Sequence, residues 1–217
     1  GPIGIHKLTG SWVFGCPPEQ IKKNELVLDP VSGSYIERYL FAKTVRHAGE
    51  RNMKADRLAS MMSCDIQTAT RILLTFHKYQ PEIVQVFHRD IANFVNQNRM
   101  LTMPNGRFRC FFGRIDGNTI NEAISLYPQA IVSDQTKFVL PRVKEIAPWA
   151  HFLIEAHDGI LTEVPKGREE EYGKIHKWEV ESPIDFRYGS IKRDFQLVIP
   201  AEVGVGENWG SIKEIKI

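Results

Sequence analysis

Three stretches of this chain carry residue types that could do chemistry. The first is Phe152 to Val164, where His157-Asp158-Gly159 separates two short apolar runs, Phe152 to Ala156 and Ile160 to Val164. Asp-Gly between β-prone runs is a strong hairpin signal. A carboxylate at the tip of a buried strand pair is costly to desolvate unless a cation or hydrogen bonds meet it, so a plain turn and a metal site are both open readings. The second is Tyr35 to Met62, where helical spacing puts Tyr39, Lys43, His47 and Arg51 on one face, with Arg38, Arg46, Lys54 and Arg57 near it. Only Glu37, Glu50 and Asp56 oppose them. Such a face suits a polyanion, a triphosphate or a nucleic-acid backbone, or is a solvated basic surface. The third is Arg107 to Arg114, which interleaves three arginines with aromatics, as a segment lying on a nucleic-acid backbone or an exposed edge strand would.

The elements that must position these residues read as helices first and strands afterwards. Ile5 to Ile21 is a short amphipathic segment closed by Gly15 and Pro17-Pro18, and Lys22 to Ser34 reads as a loop. Tyr35 to Met62 reads as helix, interrupted near Gly49 to Asn52. Asp65 caps a helix through about Tyr79 with Ala69, Ile72, Leu73 and Phe76 inward. Pro81 opens another whose apolar stripe is Ile83, Val84, Phe87, Ile91, Phe94 and Val95. Pro104-Asn105-Gly106 and Asp116-Gly117 are turns, Thr119 to about Ile146 is helical with Pro128 inside it, and Pro148 leads to the central hairpin. After Pro165 the chain is charged up to Lys177, then reads as short strands. The fold class is α+β, with a helical region over 1–104 and a sheet-based region over 105–217.

Composition narrows the function classes. The 217 residues are 42% hydrophobic and 25% charged, enough for a sizeable core, and 28 Lys and Arg against 26 Asp and Glu leave a net charge of +2 that selects no partner by itself. Three widely spaced cysteines, Cys16, Cys64 and Cys110, argue for reduced thiols and against a disulfide framework or zinc site. No apolar run reaches membrane-span length, so a cytoplasmic protein is expected. Gly1-Pro2 in place of an initiator Met reads as a cut end, and the expectation is one piece of something longer.

The order of the segments resembles the C-terminal part of a family A DNA polymerase, the class of bacterial DNA polymerase I and phage replicative enzymes. IHKLTGSWVFGCPPEQI is similar to the segment after the family's first catalytic motif. AKTVRHAGERNM resembles the fingers helix (motif B), and GRFRCFFGR the GRxR segment. YPQAIVSDQTK resembles the following palm helix, EAHDGILTEVP motif C, and PAEVGVGENWG the ending of phage members. The resemblance covers nearly the whole chain from His6 onward and implies template-directed DNA synthesis with two Mg²⁺ ions. It implies Asp158 as metal ligand and catalytic residue, and Lys43 as a catalytic contact to the incoming triphosphate. His6, Arg38, His47 and Arg51 fall at nucleotide-binding positions, and Arg107, Arg109, Gln129 and His157 at DNA-binding ones. Primer-template DNA and dNTP are the implied partners.

The departures from the family pattern matter as much. Tyr39 stands where motif B has an arginine, with Arg38 one place off; Arg51-Asn52 stand for Tyr-Gly; and Gly159 stands where motif C often has glutamate. The motif A aspartate has no counterpart before His6, and one carboxylate cannot hold two Mg²⁺ ions. The chain alone is therefore expected to be inactive and to need a complementary chain or upstream segment carrying motif A. An alternative is a catalytically degenerate polymerase module that binds nucleic acid. A metal-dependent hydrolase is weaker, because no further His/Asp/Glu cluster has ligand spacing. A halved palm is also expected to leave apolar surface on the Phe152 to Val164 hairpin uncovered.

Overall fold

The computed structural model describes residues 4–28, 35–156 and 158–217. In chain order the elements are α1 (Ile5–Phe14), β1 (Leu26–Leu28), β2 (Tyr35–Glu37), α2 (Arg38–Glu50), α3 (Ala55–Met62), α4 (Ile66–Tyr79), α5 (Arg89–Asn98), β3 (Met100–Thr102) and β4 (Phe108–Cys110). They continue as α6 (Gly117–Phe138), α7 (Leu140–Ile146), β5 (His151–Ala156), β6 (Gly159–Glu163), α8 (Glu169–Val180), β7 (Ile184–Asp185), β8 (Gln196–Leu197), β9 (Val203–Val205) and β10 (Lys213–Ile215). The fold is α+β. Among the described residues every strand pairs antiparallel with a single neighbour, giving five two-stranded ribbons.

The chain forms two compact units, Gly1–Arg99 with Phe111–Ser125, and Met100–Cys110 with Leu126–Ile217. In the first, α4 begins where its sequence says it should. The Asp65 carboxylate accepts the Thr68 backbone N–H at 2.8 Å and its hydroxyl at 2.7 Å, satisfying one of the helix's orphan donors. Ala69, Ile72, Leu73 and Phe76 then recur on one face and are buried against Val45 and Ala48 of α2 and Leu58 and Ala59 of α3. Gly49 ends the buried stripe of α2, and it is glycine for a packing reason: a Cβ there would stand 2.2 Å from the Phe76 ring. The break between α2 and α3 falls at the expected place, with Asn52 at φ 53°.

Three local expectations are corrected in this unit. The segment read as a loop contains β1, and Tyr35–Glu37, read as the start of the helix, pairs with it as β2. Ahead of α5 the helix widens to π geometry over Ile83–His88. The wider turn rotates the later residues out of the 3.6-residue register. Val84, placed inward by the spacing, is exposed as a result, while His88 is buried beside the still-buried Ile91 and Val95.

The second unit packs Val139, Val143, Ala147 and Ala150, from α7 and its flanks, against Tyr172 of α8. The chain around Glu169–Val180, expected as a charged stretch leading into strands, is helix α8. Glu169, Glu170 and Glu171 occupy its first turn and Lys177 its last, the charge order that complements a helix dipole. Gln135 of α6 secures the exit of α8 by donating to the Val180 carbonyl at 2.9 Å and the Ser182 carbonyl at 3.0 Å.

Candidate nucleotide and metal sites

Helix α2 presents a graded face. Residues one turn apart align, so Tyr39, Lys43 and His47 form a column, and α1, packed along α2, adds His6 to it. The His6 ring lies edge-on to Tyr39 with centroids 5.6 Å apart, and 6.0 Å from the His47 ring. Lys43 and Arg51 are exposed. Lys23 sits over the Tyr39 ring at 5.2 Å, a further cation at this edge. Both histidines are held below the ordinary imidazole value. For His6 burial is the main cause, followed by His47, Arg46 and Lys43, with Glu50 acting the other way; for His47 it is burial, then Arg51, Lys43 and Arg46. The Nδ1 atom of His6 is buried with no hydrogen-bond partner among the described residues.

Two arginines grouped with this face by spacing do other work. Arg46 is buried: its Nε lies 2.8 Å from Glu50, and its two terminal nitrogens donate to Thr9 Oγ1 and Gln80 Oε1, each at 3.3 Å. It joins α2 to α1 and to the end of α4 and is no part of an open basic surface. Arg38, at the first position of α2, lies 5.3 Å over the Phe14 ring of α1. Past the end of α2, the Asn52 side-chain amide donates to Asn121 Oδ1 at 2.7 Å.

In the second unit, Ala156 of β5 pairs with Gly159 of β6, and Asp158 precedes that pair's second member; His157 lies outside the described residues. Asp158 is exposed. The strands are not the buried pair expected. A bulge between Phe152 and Ile154 interrupts the alternation, and Leu153 and Ile154 are 56% and 46% exposed, an uncovered apolar surface on a ribbon that is two-stranded among the described residues. Glu155 is engaged by Lys137 at 3.0 Å. Among the described residues no three His, Cys, Asp or Glu side chains converge on a point where a metal ion could sit. Asp158 is a chemically suitable Mg²⁺ ligand, but these residues do not form a complete Mg²⁺ site.

The remaining expected contact residues are spread over this unit. The Arg107 guanidinium Nε lies 2.6 Å from Asp134, a buried carboxylate of α6, which ties β4 to that helix. Arg109 and Gln129 are exposed. Neighbouring Phe108 is 63% exposed.

No family model matches the chain. Pairwise comparison is more informative: the chain is 24% identical over 224 residues, 96% of its length, to the thermostable DNA polymerase I of Thermus thermophilus. It is 24% identical over 221 residues, 97% of its length, to that of Thermus aquaticus. The chain is similar to part of a family A DNA polymerase. It spans 23% of the length of these polymerases. The fold agrees: the polymerase domain of Pol1 from M. smegmatis, solved with DNA primer-template and dNTP, superposes with a TM-score of 0.69 at 15% identity, covering 82% of this chain and 31% of that one.

Two departures from the polymerase pattern acquire a physical reading. Asn52, where the family motif has glycine, adopts the left-handed conformation that glycine takes freely and that asparagine tolerates best among other residues. Gly159, where glutamate is common, needs no glycine: a Cβ there would meet only the Ala156 carbonyl oxygen at 3.6 Å. The resemblance put His6 and His47 at nucleotide-binding positions, but the packing of His6 on Tyr39 and His47 was not legible in the sequence, because nothing in the spacing of α1 shows which of its faces meets α2.

Proposed function

We propose that this chain is the fingers and the C-terminal palm portion, roughly 1–104 and 105–217, of a template-directed DNA polymerase that joins nucleotides in DNA replication. The observation that carries the reading is the column of His6, Tyr39, Lys43 and His47 on two packed helices, in a chain similar to DNA polymerase I over 96% of its length. In this reading the incoming dNTP lies along α2. Lys43 neutralises the triphosphate and donates a proton to the departing pyrophosphate; His6 touches the phosphates, His47 packs on the base, and Arg38 and Arg51 border the site. Arg109, Gln129, His157 and, beyond its bond to Asp134, Arg107 face the primer-template.

Asp158 would be one ligand for the two Mg²⁺ ions such a reaction uses, with a further protein carboxylate from a segment bearing motif A outside these 217 residues and the other oxygens from substrate and water. The ions' contribution, when bound, is to stabilise charge on the reacting oxygens. The test is primer extension with Mg²⁺ and dNTPs, using this chain with and without the upstream half of the polymerase. Extension only on mixing, abolished by Asp158→Ala, is the expected result. Primer-template binding without extension under any pairing would instead favour a degenerate binding module, a reading that Arg51-Asn52 and Gly159 give some support.

A further inference from the structure

The His6 and His47 pair has a feature that a simple basic contact surface lacks. Two imidazoles from different helices stand 6.0 Å apart among cations: Lys43 on α2, Arg51 at its C-terminal cap, and the buried Arg46. Among the described residues the carboxylate beside the pair is Glu50, which favours charge on His6 and lies 3.9 Å from His47 Nδ1, and its own charge is already met by Arg46 at 2.8 Å. Among the described residues no second carboxylate shifts either ring. Lys23 reaches the Tyr39 ring, and the His77 ring of α4 lies behind α2 against the Gly49 carbonyl oxygen at 3.4 Å. His6 also keeps a buried Nδ1 with no partner among the described residues, so in the free protein a charged ring would leave an N–H unmet there.

We propose that His6 and His47 take up a proton when a polyphosphate binds beside Lys43, so that polyphosphate binding at this site is coupled to proton uptake. The class of occupant rests on the polymerase reading; the coupling rests on the arrangement of the pair. Without an anion, positive charge on His6 is opposed by burial, then by His47, Arg46 and Lys43, and positive charge on His47 by burial, then by Arg51, Lys43 and Arg46, so both rings titrate below the ordinary value. An anion of several charges placed against Lys43 reverses the local potential and favours the imidazolium form, which can donate from both nitrogens. The sign follows: the complex binds more protons than the free protein, so affinity rises as pH falls through the raised imidazole values. One linked proton gives a slope of up to about tenfold in affinity per pH unit. Histidine at position 47 adds a second titrating ring, which a phenyl or phenol there would not supply.

The test uses inorganic tripolyphosphate and the 217-residue chain, without DNA or metal. Calorimetric titrations are run at pH 7.5 in phosphate-free buffers of low and high ionisation enthalpy, and the difference in heat gives the protons taken up. Because tripolyphosphate itself titrates, His6→Asn, His47→Asn and the double variant provide the baseline, with helix content checked by circular dichroism. A net uptake that falls in each single variant and reaches that baseline in the double variant is the expected result. Binding of equal heat in both buffers, uptake unchanged in the double variant, or no binding by the folded wild-type chain each overturns the proposal. These outcomes are independent of primer extension. A chain that binds tripolyphosphate with proton uptake yet never extends a primer with any upstream half would sink the polymerase reading and leave the coupling standing.

Discussion

Arg46 and Glu50, one turn apart on α2, form an ion pair at 2.8 Å in which the guanidinium is buried and the carboxylate half-exposed. Burial holds the arginine below its usual value, and Glu50 opposes that shift. Glu50 is therefore the partner that makes the burial of Arg46 tolerable, while Thr9 and Gln80 take its remaining donors. Glu50→Gln leaves a buried cation without its counter-charge, and a loss of about 2 kcal/mol is expected in urea unfolding. Arg46→Met, which removes the charge and keeps much of the volume, should cost less than Glu50→Gln. The opposite order would show that the pair does not hold α1, α2 and α4 together.

Gly49 offers a sharper packing test. A methyl group there meets the Phe76 ring well inside van der Waals contact, and both residues lie in the core between α2 and α4. Helix propensity alone would make Gly49→Ala stabilising by up to about 1 kcal/mol. Overpacking wins, and a net loss of about 1–3 kcal/mol is expected. Phe76→Leu in the Gly49→Ala background should recover part of it, a coupling that a double-mutant cycle reads directly.

The left-handed backbone at Asn52 predicts an ordering among substitutions. Asn52→Gly relieves the conformational cost but gives up the 2.7 Å bond to Asn121, so its stability should stay within about 0.5 kcal/mol of wild type. Asn52→Ala loses the bond and keeps a Cβ in the left-handed region, for a cost of about 1–2 kcal/mol. Equal midpoints for the two variants would mean that the backbone conformation there imposes nothing.

Acid sensitivity should come from His88 and His176 together with His6 and His47, whose imidazoles are lowered in the same direction. His88 and His176 are pushed below the usual imidazole value by burial; the Glu50 carbonyl, 2.8 Å from His88 Nε2, partly offsets that shift for His88. The unfolded chain takes up these protons near pH 6.5, while the folded chain resists until lower pH. Their contribution is thus complete above about pH 6.5 and is lost as pH falls toward the folded values, at up to about 1.4 kcal/mol per pH unit for each residue. Urea midpoints at pH 7.5 and 5.5 should differ, and His176→Asn should shrink that difference. A drop of unchanged size in this variant would assign the acid sensitivity elsewhere.

Much of the first unit was legible because independent local signals coincide. Asp65, the apolar stripe through Phe76 and the Pro81 boundary all point to the same helix limits. The face holding Tyr39, Lys43 and His47 was legible for a similar reason, since a helix fixes one-turn neighbours wherever it packs. The sequence does not say which side of that helix meets α1 and α4, so Arg46 looked like a surface charge until its burial was seen. The π turn was invisible because one added residue leaves the apolar content unchanged and alters only its phase, moving Val84 outward and His88 inward. For α8, Tyr172 and Gly173 are its buried residues and no clean apolar stripe marks it; the readable signal was the acidic start and basic end.

Gly159→Glu tests the hairpin as a metal-binding tip. Position 159 pairs with Ala156 at the start of β6, is solvent-exposed, and has room for a Cβ, so the substitution should fold with stability within about 0.5 kcal/mol of wild type. It places a second carboxylate next to Asp158 in the chain. If Asp158 is a ligand for a hard divalent cation, the added oxygens fill positions otherwise left to water, and Mn²⁺ affinity, read by paramagnetic resonance as a stand-in for Mg²⁺, should rise several-fold. Asp158→Ala in the same background should remove the gain. Should Gly159→Glu bind Mn²⁺ no better than wild type, or keep its gain without Asp158, the acid at this turn is not positioned to share an ion with its neighbour, and the assignment of Asp158 as a metal ligand fails.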